Sequence, residues 1–492
     1  MDPRPDPRHA GQVTTPDAQP EAVLCDQAVF TSARSPLGPQ GYRIIAAGEH
    51  LSSRECSEIV THAPSGDGLC DDAPAAEGLA FYRLSSGRCC VLHSRYAGKE
   101  PSGRGGRRTY TLAFVLDEAG FARFHGNPFE VVRAARSLGA LNQEVTTRPS
   151  LPQLRLPCPP RPGGAASVDR SVAGIGARWI SHLAGRLLDG QTIIADTEMD
   201  RLALAEAVVL VIPAPLRSSV SLAANLRFSV GRCGRLTVVR EDVGRMRQLM
   251  RGREVWVERI GPDRGPPAPP DHPWAALAER FLCRGRQGRL LDLAAQFGPD
   301  DVAAIDRIVA ACIDLDNMES ASAAELVDTA AAWLDRRQTS PLERKLAETL
   351  LANVRERLES AAGRTAEEDL VDFWHELLAL AEPSERAAGL AEPALLTALR
   401  RAARHGLPTQ VQMLTAAARA SPRAYRRLRT EAARVAAALV AWADAASPEE
   451  IAARRQLISA WAACAEDSAL TDLLDRMRKI GPAVSPTGAE PA

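Results

Sequence analysis

Between Leu79 and Leu116 the chain reads LAFYRLSSGRCCVLHSRYAGKEPSGRGGRRTYTLAFVL, its densest strand signal around its oddest loop. Leu79 to Leu84 and Cys89 to Ser94 are rich in strand formers and flank Ser85, Ser86, Gly87 and Arg88. That is the spacing and composition of a hairpin connection. Thr109 to Leu116 predicts a third strand, in which Tyr110, Leu112, Phe114 and Leu116 alternate with smaller residues. The heavier side chains then share one face and are expected to meet the core. The segment AGKEPSGRGGRR between the second and third strands joins glycine freedom to Lys99, Arg104, Arg107 and Arg108. An exposed, mobile and positively charged loop is expected there.

A chain of 492 residues is too long for one core and suggests about three domains. The formal charge of -1 conceals a skew, because arginine supplies nearly all the positive charge. Such neutrality argues against a dedicated nucleic-acid protein, for which a basic domain is the first expectation. The ten cysteines form no C-x-x-C pair, so zinc ribbons and disulfide scaffolds are not expected, nor is any metal or cofactor. The first residues lack the apolar core of a signal peptide, and no segment approaches the roughly 20 apolar residues of a membrane helix. A reducing cytoplasm is the expected location.

The order of local signals divides the chain into a multidomain α+β architecture. Residues 1–26 are rich in Pro and Asp and predict a disordered tail. Residues 27–148 predict an N-terminal mixed α/β domain with antiparallel strands, including Gln27 to Ser32 and Tyr42 to Ala47. Ser52 and Glu55 form a capping box for its first helix, and Asn127 with Pro128 opens another. The prolines of 149–167 predict a linker. Residues 168–262 predict a small α/β middle domain. Its apolar stripe of Val172, Ile175, Trp179, Leu183 and Leu187 reads as one helix, followed by strands at Gln191 to Ala195, Leu226 to Val230, Leu236 to Val239 and Val255 to Ile260. A Pro-rich hinge at 263–273 leads to an all-α domain over 274–481, a helical bundle or irregular solenoid, and 482–492 predict a second disordered tail. Ser340-Pro341, Ser421-Pro422 and Ser447-Pro448 mark helix starts in that part.

Little in the residues names a reaction. The P-loop, H-E-x-x-H and G-x-S-x-G patterns are absent. Cys90 and His93 fall on opposite faces of one predicted strand. Cys89 and His93 share a face at roughly 13 Å of separation, so a cysteine hydrolase would need a second histidine, with His50, His62 or His125 as candidates. The bland reading, small thiols filling a sheet, carries more weight. The loop arginines allow a solvated loop, a polyanion or nucleic-acid contact, or a surface that meets a phosphate-carrying partner. Arg423, Arg427 and Arg434 form a further basic stripe that reads as a solvated helix face.

The succession AVFTSARSPLGPQGYRIIAAGEHLSSRE, PSGDGLC, the Leu79 to Leu116 stretch and NPFEVVRAA resembles the N-terminal domain, second type, of the bacterial GTPase-associated protein family. DRLALAEAVVLVIPAPLRSSVSLAANLRFS looks like that family's middle domain. The resemblance implies a non-catalytic adaptor that associates with a GTPase of the same bacterial conflict system, one directed against phage or other invaders. It carries over no catalytic residue. The partner-binding surface expected on this reading is Gly41 and Tyr42 with Lys99, Arg104, Arg107 and Arg108.

Overall fold

The computed structural model describes residues 22–33, 41–101, 106–142, 149–264, 271–362, 370–381, 385–404, 407–419 and 421–443, with isolated positions from 447 to 475. The chain divides between Asp306 and Arg307 into two compact units.

The first unit opens with β1 (Ala22–Ala33), β2 (Gly41–Gly48), α1 (Ser53–His62), β3 (Glu77–Arg83), β4 (Cys89–Lys99) and β5 (Arg107–Leu116). The turn predicted between β3 and β4 is present. Leu84 N–H donates to Arg88 O at 2.8 Å, and Gly87 takes the left-handed φ of 87° that a residue with a Cβ avoids. β3 pairs antiparallel with β4, β4 with β5, and β1 with both β5 and β2. The capping box of α1 is formed, with Ser52 N–H on Glu55 Oε2 at 2.9 Å and Glu55 N–H on Ser52 Oγ at 3.2 Å. Short α2 (Glu118–Ala122) and α3 (Pro128–Ser137) follow, the latter capped by Asn127 through the Phe129 N–H at 3.0 Å.

Both faces of this sheet are covered, so all of Thr109 to Leu116 is buried and not only the heavier alternate residues. Phe30, Tyr82, Cys90, Leu92 and Val115 pack on one face with Ile59 of α1. On the other, Phe81 stacks on Phe121 of α2 with ring centroids 4.7 Å apart. A strand buried on both sides gains from apolar residues at every position, which one-sided alternation understates.

The segment read as a linker instead contributes β6 (Ser150–Leu151) and β7 (Leu154–Pro157). β6 pairs with β2 and β7 with the start of β1, Val23 opposite Leu156, so Ala22 to Asp26, read as the end of a tail, belong to a strand, and the rest of that expected tail lies outside the described residues. Prolines are tolerated there because these strands lie at the margin of the sheet.

Next come α4 (Ala165–Ile175), α5 (Ala177–Leu188), β8 (Thr192–Asp196), α6 (Arg201–Val211), α7 (Ala214–Arg217), β9 (Leu222–Ala224), β10 (Leu236–Val239), α8 (Val243–Leu249), β11 (Val255–Arg259), α9 (Pro273–Cys283) and α10 (Gln287–Gln296). The stripe from Val172 to Leu187 is therefore two helices. They break at Gly176, whose φ of 89° and ψ of 154° suit glycine alone. The strand expected over Leu226 to Val230 lies earlier, at β9. Asn225 leaves it with a φ of 56°, and Val230–Arg232 forms a 3-10 turn. β11, β8, β10 and β9 run parallel, and β9 then pairs antiparallel with β3, Leu79 opposite Ala224 and Phe81 opposite Leu222. Residues 27–148 and 168–262 thus contribute to one sheet of order β11-β8-β10-β9-β3-β4-β5-β1-β2-β6, with β7 against β1.

The second unit is helical: α11 (Ile305–Asn317), α12 (Ala323–Asp335), α13 (Pro341–Ala362), α14 (Leu370–Ala381), α15 (Glu385–Arg404), α16 (Pro408–Arg419) and α17 (Pro422–Ala443). Trp333, Trp374 and Trp461 are buried in its core with Leu350 and Leu399. The serine starts are in place. Glu343 N–H donates to Ser340 Oγ at 3.2 Å, Ala424 N–H to Ser421 Oγ at 3.3 Å, and Glu450 N–H to Ser447 Oγ at 3.3 Å. Arg423 and Arg427, read as a solvated face, instead hold the buried Glu392 at 3.1 and 2.8 Å. The tail at 482–492 lies outside the described residues.

Candidate functional site

The hairpin of β4 and β5 ends in the Arg-Gly segment, of which residues 102–105, and so Arg104, lie outside the described residues. Its base is irregular: the register shifts between Tyr96 and Lys99, and Gly98 and Gly106 both take left-handed φ values, 83° and 85°. Lys99 is exposed opposite Arg107. Arg107 is turned onto its own chain. Its N–H donates to Asp67 Oδ1 at 2.9 Å, its guanidinium to the Asp72 carbonyl, and it covers the Tyr96 ring at 5.1 Å. Arg108 Nε donates to Ala97 O at 2.8 Å. Tyr42 supports the same base from β2: its hydroxyl accepts the Thr109 N–H at 2.9 Å, its ring lies 5.6 Å from Phe30, and burial raises its phenol. Gly41 opens β2 opposite Ala33 at φ 132°. The structure thus gathers Tyr42, Lys99, Arg107 and Arg108 at one hairpin base, with Arg107 and Arg108 engaged internally.

The candidate nucleophiles are placed differently. Cys89 and Cys90 are both fully buried on opposite faces of β4. Desolvation pushes their thiols up to about 11 and about 12, which withholds the thiolate. His93 stands 3.4 Å from Glu77 Oε2, and Arg136 bonds the same oxygen at 2.6 Å. Among the described residues no cluster of three His, Cys, Asp or Glu side chains could hold a metal ion.

Parallel α/β sheets commonly bind ligands beyond the carboxyl ends of their strands. Here the chain fills that place itself. Asp196, at the end of β8, accepts the Glu241 N–H at 3.0 Å and lies 3.6 Å from Arg259 Nε, and burial raises its carboxyl. The buried Arg201 donates to Asn225 Oδ1 at 2.8 Å, to Thr197 O at 3.1 Å and to Asp71.

The first unit also contains cavities, two of which lie beside the sheet and its flanking helices. One, of ≈ 680 Å³, is apolar and lies between α2, α7 and the segment after α10, with Phe121, His125, Pro215 and Phe297 in its wall. The other, of ≈ 340 Å³, has a wall that is half polar and half apolar and lies between the end of α1, β3, β9 and the Val230–Arg232 turn. His62, Arg83, Arg227 and Arg232 line it. Sequence reasoning named His62 only as a possible partner for a cysteine and missed the three arginines, because the four are far apart along the chain. The available signal was the mixture of serines and arginines from Ser218 to Arg235.

Among the described residues no helix is long and apolar enough to cross a membrane. No curated protein matches the chain. Residues 24–157, the stretch from β1 to the end of β7, match the family model described as GTPase-associated protein 1, N-terminal domain type 2.

Proposed function

We propose that the chain is a non-catalytic cytoplasmic adaptor that associates with a GTPase encoded in the same bacterial conflict system, such as an antiviral defence, and docks through its N-terminal domain. The match over residues 24–157 carries this reading, and the likeness of the following segment to the family's middle domain extends it. The docking surface is the basic hairpin end. Lys99 and Arg104 contact the partner, while Arg107, Arg108, Gly41 and Tyr42 support the hairpin base that carries Lys99. Complementary charge of this kind acts mainly on encounter and orientation. No observation favours the cysteine-hydrolase reading, given the burial of both thiols, or a polyanion site on Arg107 and Arg108, which bond their own chain.

The test is cross-linked affinity purification from the native host with wild type and with Lys99→Glu/Arg104→Glu. A GTPase recovered by wild type and lost with the charge-reversed variant is the expected result. Recovery by both removes the hairpin from the interface, and recovery by neither overturns the association.

A further inference from the structure

The charged side chains in the wall of the ≈ 340 Å³ cleft are all of one sign. Three arginines and one histidine line it, together with hydroxyls from Ser218, Ser229 and Thr237, and none of the lining side chains is acidic. Two of the arginines have acidic partners outside the wall: Arg83 reaches Glu118 at 2.6 Å and Arg227 reaches Asp72 at 3.8 Å. Arg232 differs. Its guanidinium donates to the Ala63 carbonyl at 3.2 Å, no ion pair is found for it among the described residues, and burial depresses its pKa without an offsetting carboxylate. The hydroxyls of Ser218 and Ser229 likewise make no hydrogen bond among the described residues, although Ser229 stands at the start of the Val230–Arg232 turn. One side of the cleft is aromatic, with the His62 ring 3.9 Å from that of Tyr82.

A desolvated guanidinium without a carboxylate is unfavourable alone and becomes favourable when an anion enters beside it. Cationic walls in a concave, poorly hydrated place also concentrate positive potential. Arginine forks and hydroxyls together match the several acceptor oxygens of a phosphate better than they match a single carboxylate. A volume of ≈ 340 Å³ lies at the lower end of small-molecule sites, which run from about 300 to 1,000 Å³. That excludes a duplex or a folded partner as occupant and suits a mononucleotide, whose ring has the His62 and Tyr82 pair to lie against.

We infer that this cleft is a binding site for a phosphate group, free or carried by a small molecule no larger than a mononucleotide, with Arg232 as its central contact and Ser229 as a second donor. The inference does not depend on the GTPase-adaptor reading.

Calorimetric titration of the full chain with inorganic phosphate, ribose 5-phosphate, AMP and GMP tests it, with sodium sulfate as the ionic control. Saturable binding of at least one phosphate compound is expected. Arg232→Gln should weaken that binding about tenfold or more, and Ser229→Ala by a few-fold, as loss of one charge-assisted and one neutral hydrogen bond implies. Circular dichroism of both variants should be unchanged, and the mild Ser229→Ala keeps the test open if Arg232→Gln unfolds. Tighter binding of AMP or GMP than of inorganic phosphate supports the site with a nucleotide as its source. Equal binding supports it with free phosphate as the source. Absence of saturable binding at millimolar concentrations, a response that sulfate reproduces, or affinity unchanged in both variants overturns the proposal.

Discussion

Asn225 shows how one residue can hold a junction. Its φ of 56° lies in the left-handed region, which Asn enters more readily than most residues. From there its side chain accepts from Arg201 Nε at 2.8 Å and donates to the Glu77 carbonyl at 2.7 Å. Glu77 itself titrates abnormally. The His93 imidazole, with Arg136 beside it, holds its carboxyl down at about 2, against an ordinary value of 4.5. A carboxylate whose folded pKa is depressed adds stability in full above the unfolded value, and that stability is lost as pH falls towards the folded value. The window is therefore from 4.5 down to about 2, and solvent screening of Glu77, whose side chain is 36% exposed, keeps the effect modest. Urea midpoints of wild type should fall more steeply across this window than those of Glu77→Gln. Parallel slopes would mean that the pair contributes nothing to folding. None of this was legible in the sequence, where Asn225 and Glu77 are separated by 148 positions.

At the level of elements, local signals read well and distant pairings did not. The β3–β4 turn, the Ser52 capping box and the Asn127 cap all stand where local residue chemistry places them. Two elements moved for reasons outside any short window. The helix after Ala165 breaks because Gly176 adopts a conformation closed to other residues, and β9 sits at Leu222–Ala224 because β3 and β10 both pair with it there. Gly78 marks the tightness of that junction. A Cβ on it would lie 2.3 Å from Leu226 Cδ2, 3.0 Å from Leu69 Cδ2 and 3.2 Å from the Asn225 carbonyl. Gly78→Ala should destabilise the protein by about 1–3 kcal/mol through overpacking, measured by urea unfolding of the full chain. A stability equal to wild type would show that the two leucines yield freely. The partner-binding residues were legible as a cluster, since Tyr42, Lys99, Arg107 and Arg108 do meet at one hairpin base. Their division into exposed and internally bonded cations was not, because it depends on Asp67 and Asp72 from a separate loop.

In the whole molecule, a family match that ends at Pro157 coexists with a sheet that continues through β9. The junction is also polar. Glu206 of α6 receives Asn127 Nδ2 at 3.1 Å, Arg133 at 2.5 Å and Ser167 Oγ at 2.6 Å, and Gly163 N–H donates to Glu130 at 2.7 Å. A fragment ending at Pro157 would leave the Leu79 to Phe81 edge of β3 without β9 and Arg133 without Glu206. Open apolar edges pair with one another. Sedimentation should therefore find the 22–157 fragment self-associated and the 1–306 fragment monomeric at equal concentration. A monomeric, cooperatively unfolding 22–157 fragment would show that the matched domain is self-sufficient.

The antiparallel pairing of β3 with β9 also sets a clock during synthesis. Asn225 follows Glu77 by 148 residues, and ribosomes add roughly 5–20 residues per second. β3 therefore leaves the ribosome roughly 7–30 s before the strand that will cover it. For that interval the nascent chain presents a bare ladder of N–H and C=O groups, and crowding on a polysome brings neighbouring copies of it within reach.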